Sequence, residues 1–215
     1  KGSILLQEKE LTMKVLFMHV HKCAGTSLIE TLTNKSEYIA CSSRPGDFPG
    51  RTGKEYIDND LWNNLYKFSI IRNPYSRIVS AYRMFYKISY LKKIFPEFSD
   101  FVMMLKWSKV DLHEAKINDP RTYKKKNSFW GIVHHCSSYS NPKYNLNHMN
   151  YIGKLESINK DLAKIAKESK CENIMLNVKK KNYGQYDYRT FYNNDTKKII
   201  SDIYAEDLER YNYKF

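Results

Sequence analysis

The chain has 215 residues, of which 42% are hydrophobic and 14% aromatic, so it is long and apolar enough to fold as one domain with a sizeable core. Its net charge of +13 predicts an anionic partner such as a phosphate, a sulfate, an acidic glycan, a nucleic acid or a membrane surface. It contains no apolar run of the roughly 18 residues that span a membrane, and its four cysteines lack metal-site or disulfide spacing.

Residues 1–13 precede the first predicted element. They turn charged too soon to be a signal peptide, and we expect them to be a linker or cloning remnant or the cut end of a longer protein. We therefore assign the predicted domain to residues 14–215.

A buried strand, a polar turn and a helix are predicted between residues 14 and 32. Residues 15–20 form an apolar run with β-branched ends, interrupted only by His19, which is typical of a buried strand. Apolar residues at helical spacing begin at Leu28, and Thr26 or Ser27 is expected to cap this helix.

The turn between this strand and helix predicts an anion-binding site. The N–H groups of the first helical turn and the positive end of the helix dipole point to the same place. Lys22 adds a full positive charge, Thr26 and Ser27 add hydroxyl donors, and Gly25 allows the backbone to approach a ligand closely. The loop is not a Walker A motif, because its lysine precedes the glycine. The alternative interpretation is an ordinary turn with a solvated lysine.

A second strand and helix are predicted around Arg72. Residues 67–71 have the composition of a short strand, and Pro74 suits the first turn of a helix. Arg72 at the end of the strand and Ser80 in the helix can meet on one phosphate, with Arg72 supplying a planar fork of donors. The alternative is that Arg72 pairs with a carboxylate and Ser80 is a small packing residue. The expected apolar face of the helix comprises Ile78, Val79, Tyr82, Phe85 and Tyr86.

Other segments predict further elements around these two motifs. A loop is expected over residues 34–51, which are rich in glycine and proline. The remaining predicted elements are a helix over 58–66, helical segments over 86–105 with a break near Pro96, a helix over 129–136, a strand and a helix over 151–162, a strand over 173–178 and a helix through 199–203. Together they predict an α/β fold in a single domain, with a central, mainly parallel sheet flanked by helices and a P-loop-like strand–loop–helix unit.

Both motifs resemble those of sulfotransferases that use 3′-phosphoadenosine-5′-phosphosulfate (PAPS). Residues 17–28 read F-M-H-V-H-K-C-A-G-T-S-L and are similar to the 5′-phosphosulfate loop F-I-H-I-P-K-T-G-G-T-S-L of the carbohydrate-sulfotransferase type, or sulfotransferase family 2. They depart from it at His21, Cys23 and Ala24. Residues 72–82 match the 3′-phosphate pattern R-[DN]-P-x-x-R-x-x-S-x-Y of the same family. Two motifs in the family's order are more specific than either alone.

The resemblance implies transfer of a sulfuryl group from PAPS to a hydroxyl acceptor, with 3′,5′-diphosphoadenosine as the product nucleotide and no metal. It implies that Arg72 and Ser80 bind the 3′-phosphate and that Lys22 also stabilises the leaving phosphate. The implied ligands of the 5′-phosphosulfate are Lys22, Cys23, Ala24, Gly25, Thr26 and Ser27. The acceptor is expected to be a glycan or a small polar metabolite, and the basic tracts favour an acidic glycan.

The general base is the role that the sequence leaves open. Related enzymes use a histidine or a glutamate for it. Several of them place a histidine some 20 residues before the 3′-phosphate arginine, where this chain reads Gly50-Arg51-Thr52. The candidates here are Asp47, Glu55 and the pair His134 and His135. His19 and His21 flank the loop, but a histidine within a strand is usually packed and hydrogen-bonded. A catalytically inactive member of the family is the remaining alternative.

Two other function classes compete with a sulfotransferase. A nucleotide-dependent kinase is disfavoured by the missing Gly-Lys-Ser/Thr order and by the lack of an obvious Mg²⁺ carboxylate after a strand. A basic nucleic-acid-binding protein is disfavoured because the lysines are scattered and no known module is recognised. No nucleic-acid partner is therefore expected, and the sequence predicts no oligomeric state. The lack of a membrane anchor favours a cytoplasmic location, with the Golgi lumen as the alternative for an excised catalytic domain.

Overall fold

The structure is a computed structural model, and its described residues belong to two units, each assembled from two separate stretches of chain. The first unit combines residues 1–71 with 144–181, and the second combines residues 72–143 with 182–215. The described residues are 14–32, 38–42, 59–109, 129–171 and 186–215.

Strands and helices alternate over residues 15–86, and the described residues that follow are helical except for one strand near residue 151. The strands are β1 Val15–His19, β2 Tyr38–Ser42, β3 Tyr66–Ile71 and β4 Tyr151–Lys154. The helices are α1 Gly25–Leu32, α2 Asn59–Asn64, α3 Pro74–Tyr86, α4 Ser89–Ile94, α5 Phe98–Trp107, α6 Phe129–Cys136, α7 Ile158–Ser169, α8 Asn194–Ile203 and α9 Ala205–Arg210. Short 3₁₀ turns lie at Pro142–Tyr144, Leu146–His148, Leu155–Ser157 and Tyr188–Phe191.

The four strands form one parallel sheet in the first unit, in the order β2-β1-β3-β4. The chain winds from β1 to β2 on one side and continues with β3 on the other side of β1. Ligands of such sheets bind beyond the carboxyl ends of the strands at the point where the winding reverses. The segments that follow β1 and β3 in the chain are therefore the places to look for a site.

The central strand β1 is buried on both of its faces, as the alternation of side chains along a strand allows. Val15 and Phe17 pack in a cluster with apolar side chains of α1 and α7, whereas Leu16 and Met18 pack with Trp62 of α2 and Leu65. Helices thus cover both faces of the sheet. Burial of each such side chain stabilises the unit by about 1.5–3 kcal/mol.

The second unit is built around the long helix α3. Its buried apolar residues share a cluster with those of α5, α6 and α8, and aromatic rings are frequent among them. Tyr82, for example, meets Phe98 edge to face with ring centres 5.4 Å apart. The fully buried members of this cluster include Ile78, Val79, Val102, Leu105, Ile132, Val133, Ile200 and Tyr204.

The predicted α/β class, with a parallel sheet flanked by helices, is confirmed. The expected loop over 34–51 is wrong at β2, because Tyr38–Ser42 pairs with β1 along its whole length, and the glycines and prolines that predicted the loop come only after it. Tyr86 was expected on the buried face of α3 but is 36% exposed, because it is the last residue of the helix and its ring lies between Tyr82 and the Lys92 ammonium. The strand predicted over 173–178 lies outside the described residues. Within the described ranges, no helix is long and apolar enough to cross a membrane.

Asp161 joins β4 to α7 through its buried carboxylate. It accepts hydrogen bonds from the Tyr151 hydroxyl at 2.8 Å, the Lys154 N–H at 2.7 Å and the Ser157 hydroxyl at 2.7 Å. Asp161→Ala leaves these donors without their acceptor, and we expect it to lower the free energy of unfolding by about 3 kcal/mol. Urea titration measures the change.

The matched control for this prediction is Asp202→Ala on α8. Asp202 forms an exposed ion pair with Lys198 at 3.8 Å, and such pairs contribute little, so its loss should change stability by less than about 1 kcal/mol. Equal losses in the two variants would contradict the role given to Asp161.

Candidate functional site

The loop that follows β1 has an unusual backbone. Lys22 and Ala24 are both left-handed, with φ of 65° and 60°, and Cys23 between them is not. Such alternation turns successive N–H groups toward one side and forms a concavity that suits an anion. Residues other than glycine rarely adopt positive φ, so the rest of the loop must stabilise this conformation.

Helix α1 begins at Gly25, directly after the left-handed Ala24. Its first intrahelical hydrogen bond runs from the Leu28 N–H to the Ala24 carbonyl at 3.0 Å. The expectation that Thr26 or Ser27 caps the helix is therefore wrong, because the sharp turn at Ala24 starts the helix earlier. Both hydroxyls instead lie in the first turn, where the N–H groups have no acceptor within the helix.

The loop and the first turn of α1 together carry hydrogen-bond donors and positive charge. Lys22 and Ser27 are half-buried and Thr26 is exposed. The first turn contains no acidic residue that would oppose an anion. The helix dipole adds a partial positive charge at the same end. This donor set fits the phosphosulfate group that the sequence implied for residues 22–27.

Gly25 is required by the imidazole of His19. A Cβ placed on Gly25 would lie 1.8 Å from His19 Cδ2 and 1.9 Å from Nε2, far inside contact distance. The His19 ring is buried, and the rings of Phe17 and His21 lie 6.2 Å and 5.2 Å from it, so it has little room to move aside. His19 is thus packed, as expected, and its packing explains the glycine at the start of α1.

His21 extends this buried cluster toward Tyr144. The His21 Nδ1 lies 3.3 Å from the Tyr144 hydroxyl, and both side chains are almost fully buried. His21 immediately precedes Lys22 in the chain, so this contact anchors the loop at the residue before the first left-handed one. The sequence did not predict Tyr144, which is 123 residues away and carries no local signal.

In the second unit, Arg72 follows β3 directly and Asn73 caps α3. The Asn73 side-chain oxygen accepts a hydrogen bond from the Tyr75 N–H at 3.0 Å, and the predicted proline occupies the first turn. The Arg72 Nε–H donates to the Ser76 hydroxyl at 2.8 Å, which fixes the plane of the guanidinium. Ser80 lies half-buried in the second turn of α3.

The other arginine of this motif, Arg77, is fully buried and serves the packing of α3 on α6. Its guanidinium donates to the carbonyls of Ser137 at 2.8 Å and His135 at 3.4 Å. These carbonyls lie at the carboxyl end of α6, where the helix dipole favours a cation. Arg77 therefore binds the protein's own backbone.

Lys143 binds the same end of α6. Its ammonium lies 2.6 Å from both the His134 carbonyl and the Ser137 hydroxyl, and 3.2 Å from His134 Nδ1. Burial lowers the pKa of Lys143 well below its usual range, and the Arg77 guanidinium lowers it further. Three polar partners lie within hydrogen-bond distance of its side-chain nitrogen, so Lys143 caps the carboxyl end of α6.

Of the candidates for the general base, the histidine pair lies within the described residues, at the end of α6. His135 Nδ1 lies 2.7 Å from the Gly131 carbonyl, which can only accept, so Nδ1 carries the proton and Nε2 carries the lone pair. Its ring also packs edge to face on Phe85. Asp47 and Glu55 lie outside the described residues.

A comparison with family profiles decides the identity. The profile of the sulfotransferase family matches residues 10–214, which is nearly the whole chain. The chain belongs to the sulfotransferase family. A search of curated proteins and a search of solved structures found no match. This sulfotransferase is accordingly a transferase that moves a sulfuryl group to a hydroxyl acceptor, and the resemblance seen in its two motifs is confirmed.

The left-handed Ala24 of this sulfotransferase costs conformational energy that glycine would avoid. We expect Ala24→Gly to raise the free energy of unfolding by about 1 kcal/mol. Ala163→Gly, at an exposed position within α7, should instead lower it by about 1 kcal/mol. Urea titration of both variants checks the opposite signs, and a loss of stability in Ala24→Gly would contradict the strain at this position.

The contact between His19 and Gly25 predicts strong coupling between the two residues. Gly25→Ala alone should destabilise the protein, because the new methyl group overlaps the buried imidazole. In the His19→Ala background the same change should cost about 1–3 kcal/mol less. A double-mutant cycle in urea measures this coupling, and additive losses would show that the loop relieves the overlap in another way.

Proposed function

We propose that this sulfotransferase uses PAPS as its sulfuryl donor and binds it through its two motifs. The observation that carries the proposal is the left-handed backbone of Lys22 and Ala24 immediately before the first turn of α1. A loop of this shape presents main-chain N–H groups to an anion, and Lys22 contributes the charge that a phosphosulfate requires.

When bound, PAPS supplies the sulfuryl group on a phosphate that serves as the leaving group. In this proposal residues 22–27 hold the phosphosulfate oxygens, with Lys22 and the helix N-terminus neutralising negative charge. Arg72 and Ser80 hold the 3′-phosphate. The Arg72 guanidinium is suited to this task because its Nε is already bound to Ser76, which directs its two terminal amino groups as a fork.

A general base must remove the proton of the acceptor hydroxyl. His135 supports this role through its tautomer, since an imidazole that donates from Nδ1 can accept a proton at Nε2. The Nδ1 of His134 instead faces the Lys143 ammonium. Asp47 and Glu55 stay as the carboxylate candidates. For the acceptor we propose a glycan or a small polar metabolite, and the net charge of +13 favours an acidic one.

Calorimetric titration with 3′,5′-diphosphoadenosine tests the donor. We expect it to bind without Mg²⁺ and more tightly than AMP or Mg-ATP. Lys22→Ala and Arg72→Ala should each weaken this binding by tenfold or more, because each removes a charged contact worth about 1.5–3 kcal/mol.

The matched controls are Lys198→Ala and Arg189→Ala, which remove exposed cations held in surface ion pairs. Both should bind the nucleotide as the wild type does. A preference for Mg-ATP would favour a kinase, and tight, salt-sensitive binding of oligonucleotides without nucleotide selectivity would favour a nucleic-acid-binding protein. Either result would overturn the proposal.

A further inference from the structure

We infer that Tyr139 is a positioning residue for recognition of the donor's 3′-phosphate, because its hydroxyl holds the main chain of Arg72. The inference rests on the proposed function, in which Arg72 binds that phosphate. Tyr139 lies outside both sequence motifs and is 67 residues from Arg72.

The Tyr139 hydroxyl makes two hydrogen bonds to one residue. It accepts from the Arg72 N–H at 3.1 Å and donates to the Arg72 carbonyl at 2.5 Å. A single side chain thereby fixes both polar main-chain groups of the residue at which β3 has ended and α3 has not yet begun. Without these bonds, the backbone torsions of Arg72 would be fixed only by its neighbours.

Tyr139 is itself fixed by burial, by ring contacts and by a main-chain hydrogen bond within the second unit. Its ring is 2% exposed, with the Arg77 guanidinium 4.6 Å above it and the Tyr211 ring against it edge to face. Its N–H donates to the carboxylate of Asp207 on α9, which also accepts from the Ser138 hydroxyl at 2.8 Å. The position of the Tyr139 hydroxyl is therefore set by packing that extends to α9.

The orientation of the Arg72 side chain matters because a guanidinium binds a phosphate only when its N–H donors point at the phosphate oxygens. Two parallel N–H donors must meet two oxygens at once, and a small error in the plane of the fork loses one of them. Tyr139 fixes the Arg72 main chain and Ser76 fixes its Nε. The side chain is thus restrained at both ends before a ligand arrives, which reduces the conformational entropy lost on binding.

The test is the ratio of the affinities for 3′,5′-diphosphoadenosine and AMP, which differ only in the 3′-phosphate. Tyr139→Phe removes the hydroxyl and keeps the ring, so we expect this ratio to fall about tenfold while AMP affinity stays close to that of the wild type. Arg72→Ala should abolish the preference and sets the lower limit. Any partial unfolding weakens both affinities alike and cancels from the ratio.

Tyr204→Phe is the matched control. Tyr204 is also fully buried in the second unit, and its hydroxyl donates one hydrogen bond, to the Cys136 carbonyl. This variant also loses a buried hydroxyl and its hydrogen bond, so it should be less stable, but it should keep the wild-type ratio of the affinities for 3′,5′-diphosphoadenosine and AMP. Should Tyr139→Phe yield no folded protein, Asp207→Asn is the replacement variant. It weakens the hydrogen bond that the Tyr139 N–H donates to the Asp207 carboxylate, and it should lower the affinity ratio about threefold.

The outcomes separate the inference from the proposal beneath it. A wild-type protein without any preference for the diphosphate would overturn the proposed function itself. A wild-type preference that disappears in Arg72→Ala but persists in Tyr139→Phe, or in Asp207→Asn if that variant replaces it, would overturn the inference alone. A ratio lowered equally by Tyr204→Phe would also overturn it, since the effect would then follow from general loosening of the unit.

Discussion

The turn between β1 and α1 is the constraint on which the rest of the first unit depends. Its two left-handed residues, Lys22 and Ala24, can persist only if their neighbours leave no alternative. Buried contacts restrain the turn on both sides. Before it, His21 contacts Tyr144, and after it, the absence of a side chain on Gly25 leaves room for the imidazole of His19. The shape of the loop is thus set by the packing beneath it.

The residues of the second motif make different kinds of contact although they lie close together in the chain. Arg72 follows the strand and carries the donors suited to a phosphate, whereas Arg77, five residues later, is buried against carbonyls of α6. Asn73 begins the helix and Ser76 orients the first arginine. Part of this sequence motif therefore stabilises the fold, through Asn73 and Arg77, and the two arginines are not equivalent.

The sequence predicted what depends on local patterns. The buried run at residues 15–20 and the proline at 74 predicted β1 and the start of α3, because burial and restricted φ act within a few residues. It did not predict β2, whose pairing with β1 joins two segments that no local pattern connects. Tyr139 and Tyr144 were missed for the same reason, since their partners are 67 and 123 residues away and only the fold brings them together.

Several of the cations that make the composition basic point inward. Arg77, Lys143 and Lys67 all donate to main-chain carbonyls at the ends of helices or turns, and burial lowers the pKa of both lysines. Each of these side chains lies against the protein's own peptide dipoles and stabilises them. Because these three side chains are engaged inside the protein, an anion that arrives from solvent can contact fewer cations than the net charge of +13 suggests, and selection among the anions that this enzyme meets depends more on the short-range fit of the site.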